Sequence, residues 1–167
     1  MAGEIVIPFH LSPHRTTNAN ASWDHLTQTT NTFQPFGIRL PDALASNVNC
    51  WLCRPIPTNI NGTPGGKIKI HWVTDTATGN DVKFFIYCSD ATFNTTSLDP
   101  SSWDDSLTVV DTNNGQYVVN ECEVSLSSTA QTAGLDLIVL ISRNAVDAAD
   151  TLAADVLVTD VQYVANT

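Results

Sequence analysis

The segment Cys50-Trp-Leu-Cys53 has the spacing of a metal-ligating or redox cysteine pair. A tetrahedral zinc site needs two further ligands. Cys88 and Cys122 are the other two cysteines, and each lies alone in an alternating apolar run. Thioredoxin-type chemistry wants such a pair at a helix N-terminus, whereas Trp51 and Leu52 continue a strand-like run toward Pro55. Cys50 and Cys53 are therefore candidate zinc ligands, with small buried hydrophobes, reduced in a cytoplasm, as the competing reading. Asp147-Ala-Ala-Asp150-Thr-Leu-Ala-Ala-Asp155 gathers three carboxylates around small residues. Calcium favours oxygen-rich loops of that kind, so Asp147, Asp150 and Asp155 are candidate calcium ligands. Against this, EF-hand spacing is missing and no glycine makes the turn. Loop carboxylates more often accept backbone N–H groups.

Asp104-Asp105 follows Trp103. A tryptophan beside paired acids has the composition of a glycosidase cleft. Adjacent strand residues point to opposite faces, however, so these two carboxylates are not expected to converge. The histidines are His10, His14, His25 and His71. Pro13 between His10 and His14 rules out the helix face of a zincin pair. His71 alternates outward on a strand beside Lys69 and reads as a surface imidazole. No Gly-x-Ser-x-Gly occurs, and Gly65-Gly66 is not followed by a helical pattern. The expectation is a non-enzymatic protein with no catalytic residues and no cofactor. Trp23, Trp51 and Trp103 remain as candidate binding residues that would stack on sugars, with core anchoring as the alternative.

The elements that would position these groups are almost all strands. Ile5 to Phe9 reads as an edge strand broken by Pro8 and Pro13. Residues 14–34, rich in Thr, Asn and Ala, read as a long arm. Phe36–Leu40 is a brief strand, Pro41 opens a helical turn, and Asn49–Arg54 is a strand. Lys67–Trp72 alternates with Ile68, Ile70 and Trp72 on one face. After the turn signal Gly79-Asn80-Asp81, Val82, Phe84, Ile86 and Cys88 share a face of the next strand, which reads as its hairpin partner. Asn114-Gly115 is a hairpin signal between Leu107–Val110 and Tyr117–Leu126. Leu135–Ser142 is apolar on both faces apart from Asp136, the pattern of a central covered strand, with a second subunit as one candidate cover. In the last strand Leu157, Val161 and Tyr163 are expected on one face. The fold class is thus all-β: an antiparallel β-sandwich of jelly-roll type, about eight strands, with an extended N-terminal arm. The division is 1–40 for the first strand and arm and 41–167 for the sandwich, one domain in all.

Seventeen acidic against seven basic residues give a net charge of −10, and charged residues are only 14% of the chain. Phosphate binding needs clustered Lys and Arg, and here they are few and scattered. Neither nucleic acid nor an anionic membrane surface is an expected partner. No basic n-region opens the chain and no ~18-residue apolar span occurs, so a soluble protein made in a cytoplasm is expected.

The run Leu137-Ile-Val-Leu-Ile-Ser-Arg143, the Asp-rich turn to Asp150-Thr151, and Ala154-Asp155-Val-Leu-Val-Thr-Asp-Val-Gln-Tyr163 resemble the closing hairpin of a jelly-roll domain from tailed-bacteriophage structural proteins. Lys67–Trp72, Gly79-Asn80-Asp81 and Val82–Tyr87 are similar to that family's upstream hairpin. The resemblance covers about residues 66–167. It implies a virion structural protein, a capsid decoration (cement) protein or a head or tail fibre component. Such a protein would be assembled in the host cytoplasm and trimeric, with the major capsid protein or another virion protein as partner. The alternative it leaves open is a carbohydrate-binding adhesin or receptor-binding module of a fibre, with a glycan as ligand.

Overall fold

A computed structural model describes residues 4–9, 12–13, 15–16, 19–20, 22–26, 35–42, 48–56, 66–77, 79–92, 102–127 and 132–166; in residues 12–23 and 48–55, and at Glu4, Ile5, His25 and Asn166, it describes the backbone alone. In these residues every regular element is a strand. They are β1 (Glu4–Pro8), β2 (Ser12–Pro13), β3 (Arg15–Thr16), β4 (Ala19–Asn20), β5 (Ser22–His25), β6 (Phe36–Leu40), β7 (Val48–Pro55), β8 (Lys67–Val73), β9 (Asp81–Ala91), β10 (Asp105–Thr112), β11 (Asn120–Ser125), β12 (Asp136–Arg143) and β13 (Val156–Asn166). No described helix is long and apolar enough to cross a membrane.

The eight strands β6 to β13 form two antiparallel sheets, ordered β11-β8-β13-β6 and β10-β9-β12-β7. First pairs with last and the chain passes repeatedly from one sheet to the other, which is the jelly-roll order. The first sheet gains β5 beside β6 and β1 beside β13; the second gains β2 beside β7. Before β6, the strands β1, β2 and β5 pair with the sandwich, β5 alone of these lying in the expected arm of residues 14–34, while β3 and β4 pair with each other. The helical turn expected after Pro41 lies outside the described residues beyond Asp42.

The alternation read in β8 and β9 is what builds the core. Ile68, Ile70 and Trp72 from one sheet meet Val82, Phe84, Ile86 and Cys88 from the other, in one cluster with Leu137, Val139, Ile141, Val158, Val161 and Tyr163. Trp72 and Phe84 pack edge to face with ring centroids 6.1 Å apart. Each such fully buried side chain contributes about 1.5–3 kcal/mol. The Trp72 indole keeps its polar handle satisfied: Nε1 donates to Asp111 Oδ2 at 2.7 Å across the open edge of the sandwich.

Three expected hairpins are corrected. β8 and β9, β10 and β11, and β12 and β13 each lie in different sheets. The reversal signals were sound, but the chain turns over the end of the core instead of lying down beside itself, so the two apolar faces oppose each other. The connecting loops are sewn together to hold this. Gly79 N donates to Asn113 O at 3.1 Å, Asn113 N to Asn80 O at 2.9 Å, and Tyr117 N to Thr74 O at 2.9 Å. Tyr117 has φ 59°, and strand β11 begins three residues on, at Asn120.

The expected face of the last strand is also corrected. The β13–β8 register shifts between Val158 and Asp160, so Thr159 is an extra residue in a β-bulge. The bulge reverses parity. Val156 and Val158 point into the core with Val161 and Tyr163, and Leu157 points outward with Val73, Leu26 and the half-buried Tyr117. Gly37 in β6 backs onto this bulge: a Cβ there would lie 2.1 Å from Val158 O.

Candidate functional site

The outer face of the five-stranded sheet carries the groups best suited to recognition. The register of β10, β9 and β12 sets Ser106 opposite Tyr87 and Tyr87 opposite Leu140. Trp51 of β7 continues the row opposite Leu140. In the neighbouring row Thr108, Phe85 and Ser142 stand opposite one another. Tyr87 and Phe85 are half-buried because odd positions of β9 face outward while even ones fill the core. Trp103, just before β10, lays its ring against Tyr87 at a centroid distance of 5.9 Å and a 44° tilt.

Polar groups border the rings. Ser89 Oγ donates to Asp104 Oδ2 at 2.5 Å. Asp105, one residue on, points the other way and accepts Ser127 N at 2.7 Å. The two adjacent carboxylates therefore diverge, as their strand position implied. At the far end of β9, Lys83 Nζ lies 4.8 Å from the Phe85 centroid and 2.9 Å from Asp147 Oδ2. This face offers half-buried aromatic rings rimmed by hydroxyls and a carboxylate. Such a surface stacks on and hydrogen-bonds a ligand.

Ile138 and Leu140, the outward residues of β12, are 1% and 8% exposed within one chain. The outward side of this doubly apolar strand is thus already buried within one chain.

The candidate calcium ligands are committed to protein donors. Asp150 Oδ1 and Oδ2 accept Arg143 Nη2 (2.8 Å) and Nε (2.9 Å) in a bidentate pair. The same fully buried guanidinium donates to the carbonyls of Leu152 at 2.6 Å, Ala154 at 2.7 Å and Leu40 at 3.3 Å, tying both sheets to the loop between β12 and β13. Asp147 Oδ1 accepts Ala149 N, and this bond and Lys83 hold its carboxyl below the usual range. Asp155 Oδ1 accepts Asp42 N at 2.9 Å. The acid-rich turn that follows Arg143 is a built ion-pair pin.

Of the candidate zinc ligands, Cys50 and Cys53 occupy register positions opposite Ile141 and Ile138, residues on opposite faces of β12. Cys88 and Cys122 are buried free thiols in the core, and burial pushes both well above the usual thiol range. Among the described residues no three His, Cys, Asp or Glu side chains are placed to hold a metal ion. Trp23 sits in β5 at a register position opposite Ile38. His10 and His14 lie outside the described residues.

Two groupings were missed in sequence. Tyr87, Phe85 and Ser89 were visible as the odd face of β9, but nothing local tied them to Trp103. His71, read as a lone imidazole, sits between Glu121 Oε2 at 2.8 Å and Asp160 Oδ2 at 3.3 Å on the other sheet's outer face. Hydrogen bonds from His71 and Lys69 hold the Glu121 carboxyl below its usual value. Only the β11-β8-β13 order brings these together.

No protein-family model matches the chain, and no curated protein matches it. Among solved structures, an arabinose-bound α-L-arabinofuranosidase is similar over 96% of this chain and 24% of that one, with TM-score 0.53 and 10% identity. The chain thus spans about a quarter of that enzyme's length. The K1 cleaved adhesin domain of Lys-gingipain from Porphyromonas gingivalis W83 is similar over 99% of both chains, with TM-score 0.50 and 12% identity. A xylan-binding module is similar over 98% of this chain and 97% of that one, with TM-score 0.49 and 13% identity. At such identities the likeness is one of fold, the β-sandwich.

Proposed function

We propose that this domain is a non-enzymatic carbohydrate-binding module or adhesin that holds a glycan on the β9–β10 side of the outer face of its five-stranded sheet, next to the covered β12. The observation that carries this reading is the Tyr87–Trp103 pair, two half-buried rings 5.9 Å apart beside the Asp104–Ser89 hydrogen bond. Sugar rings present apolar C–H faces to aromatic rings and hydroxyls to carboxylates, and this pairing supplies both. The sandwich shared with an adhesin domain over nearly the full length of both chains is in keeping with it.

A panel of immobilised oligosaccharides, followed by calorimetry on the strongest ligand, tests the proposal. Trp103→Ala is expected to lose about 2 kcal/mol, roughly thirtyfold in Kd, with an unchanged far-UV spectrum. A variant that binds like the parent, or a parent that binds no glycan, would overturn it.

The reading as a trimeric capsid decoration protein rests on the residue pattern of 66–167 alone. Arg143 and Asp150, the polar landmarks of that pattern, have a complete structural role in the sandwich. Capsid partners, a trimer and a virion location follow only if the protein is found on particles.

A further inference from the structure

Five cationic side chains are described, and every one is already bonded to a carboxylate. Arg39 pairs with Asp24 at 3.0 Å, Lys67 with Glu123 at 2.6 Å, Lys69 with Glu121 at 3.2 Å, Lys83 with Asp147 at 2.9 Å and Arg143 with Asp150 at 2.8 Å. On the aromatic face this matters most. Lys83 is the cation described there, and it is held twice, by Asp147 and by the Phe85 ring. The opposite end of the same face carries the exposed Asp104 beside Trp103. An anionic ligand on the Tyr87–Trp103 rings would meet a carboxylate and find Lys83 already engaged, in a chain of net charge −10.

The geometry points to a neutral, hydroxyl-rich glycan as the ligand of this face, with Asp104 as the residue that sets the selectivity. Its carboxylate takes one hydrogen bond from Ser89 Oγ, and a carboxylate accepts about four. The remaining lone pairs accept sugar hydroxyls next to the Trp103 ring. The same charge repels a uronate, sulfate or phosphate group on the ligand. This selectivity rests on the reading of the Tyr87–Trp103 face as a glycan site.

Matched oligosaccharides test it: the best neutral ligand and its uronic-acid and sulfated counterparts of the same linkage, titrated at low and high salt. The parent protein is expected to bind the neutral sugar at least about tenfold tighter than either anionic one, the gap narrowing as salt screens the repulsion. Asp104→Asn keeps an acceptor for Ser89. It is expected to weaken neutral binding about tenfold and reduce the discrimination to less than about threefold. Anionic counterparts binding as well as the neutral sugar, or discrimination untouched in Asp104→Asn, would overturn the selectivity and leave the glycan site standing. Failure of every sugar to bind would overturn both.

Discussion

Replacing Gly37 by alanine should cost this protein much of its stability, although the change adds a single methyl group. A Cβ built on Gly37 would lie 2.1 Å from Val158 O and 2.8 Å from Val158 C, both backbone atoms that cannot swing aside. Ordinary contact begins at 3.4 Å, so β6 and β13 must separate by about 1.3 Å (3.4 − 2.1) at this point. Their pairing is only three residues long, Val156–Leu40, Leu157–Arg39 and Val158–Ile38, and it positions the fully buried Ile38 and Leu40. Overpacking costs about 1–3 kcal/mol. Strained ladder bonds add about 1 kcal/mol. The lower entropy of the unfolded alanine chain returns about 0.4–1 kcal/mol. The expected net loss is about 1–3.5 kcal/mol. With a urea m-value of about 2 kcal/mol/M for a domain of this size, the midpoint falls by about 0.5–1.8 M. Equilibrium urea unfolding followed by tryptophan fluorescence measures this. A midpoint within about 0.2 M of the parent would refute the close approach of β6 to the bulge and the parity reversal built on it.

Arg143→Met strands the fully buried Asp150 carboxylate, and removal of one partner of a buried pair costs about 3–5 kcal/mol; a Tm drop of roughly 10 °C by scanning calorimetry is expected, and a drop under about 3 °C would contradict the pin. Burial holds the Asp111 carboxyl above its usual value, and a raised folded pKa contributes stability that is complete below the unfolded value and is lost as pH rises through the folded one. Asp111→Asn, which keeps an acceptor for Trp72 Nε1, removes that contribution, so parent minus variant stability should fall as pH climbs from about 4, and parallel urea curves across a pH series would count against it. Because Asp147, Asp150 and Asp155 already accept N–H groups, millimolar calcium or a chelator is expected to leave the Tm unchanged; a calcium-dependent rise would contradict this and favour a metal loop.

The strands themselves could be read from residues because period-two alternation reports burial directly. Ile68, Ile70 and Trp72, then Val82, Phe84, Ile86 and Cys88, all point inward as expected. The partners of those strands could not. Gly79-Asn80-Asp81 and Asn114-Gly115 mark where the chain reverses, but a reversal over the core and a reversal within a sheet use the same turn residues. The bulge at Thr159 left no local mark, since Thr is an ordinary strand residue, and its consequence for Leu157 appears only when β8 is laid alongside. The candidate site divides the same way. Trp103 and the divergence of Asp104 from Asp105 were visible in the chain. The contact of Trp103 with Tyr87, and of Asp104 with Ser89, joins residues 15 or 16 positions apart through the β9–β10 register, which no local pattern encodes. The Arg143 motif was legible as a pattern, while its physical meaning, a guanidinium spanning both sheets, required the packed core.

Chemical-shift mapping on isotope-labelled protein during titration with the best neutral oligosaccharide tests the Tyr87–Trp103 face residue by residue. Shifts are expected to concentrate at Phe85, Tyr87, Ser89, Trp103, Asp104 and Ser106, with the Trp103 indole among the largest. Shifts concentrated instead at Lys69, His71, Glu121 and Asp160, on the outer face of the other sheet, would contradict it.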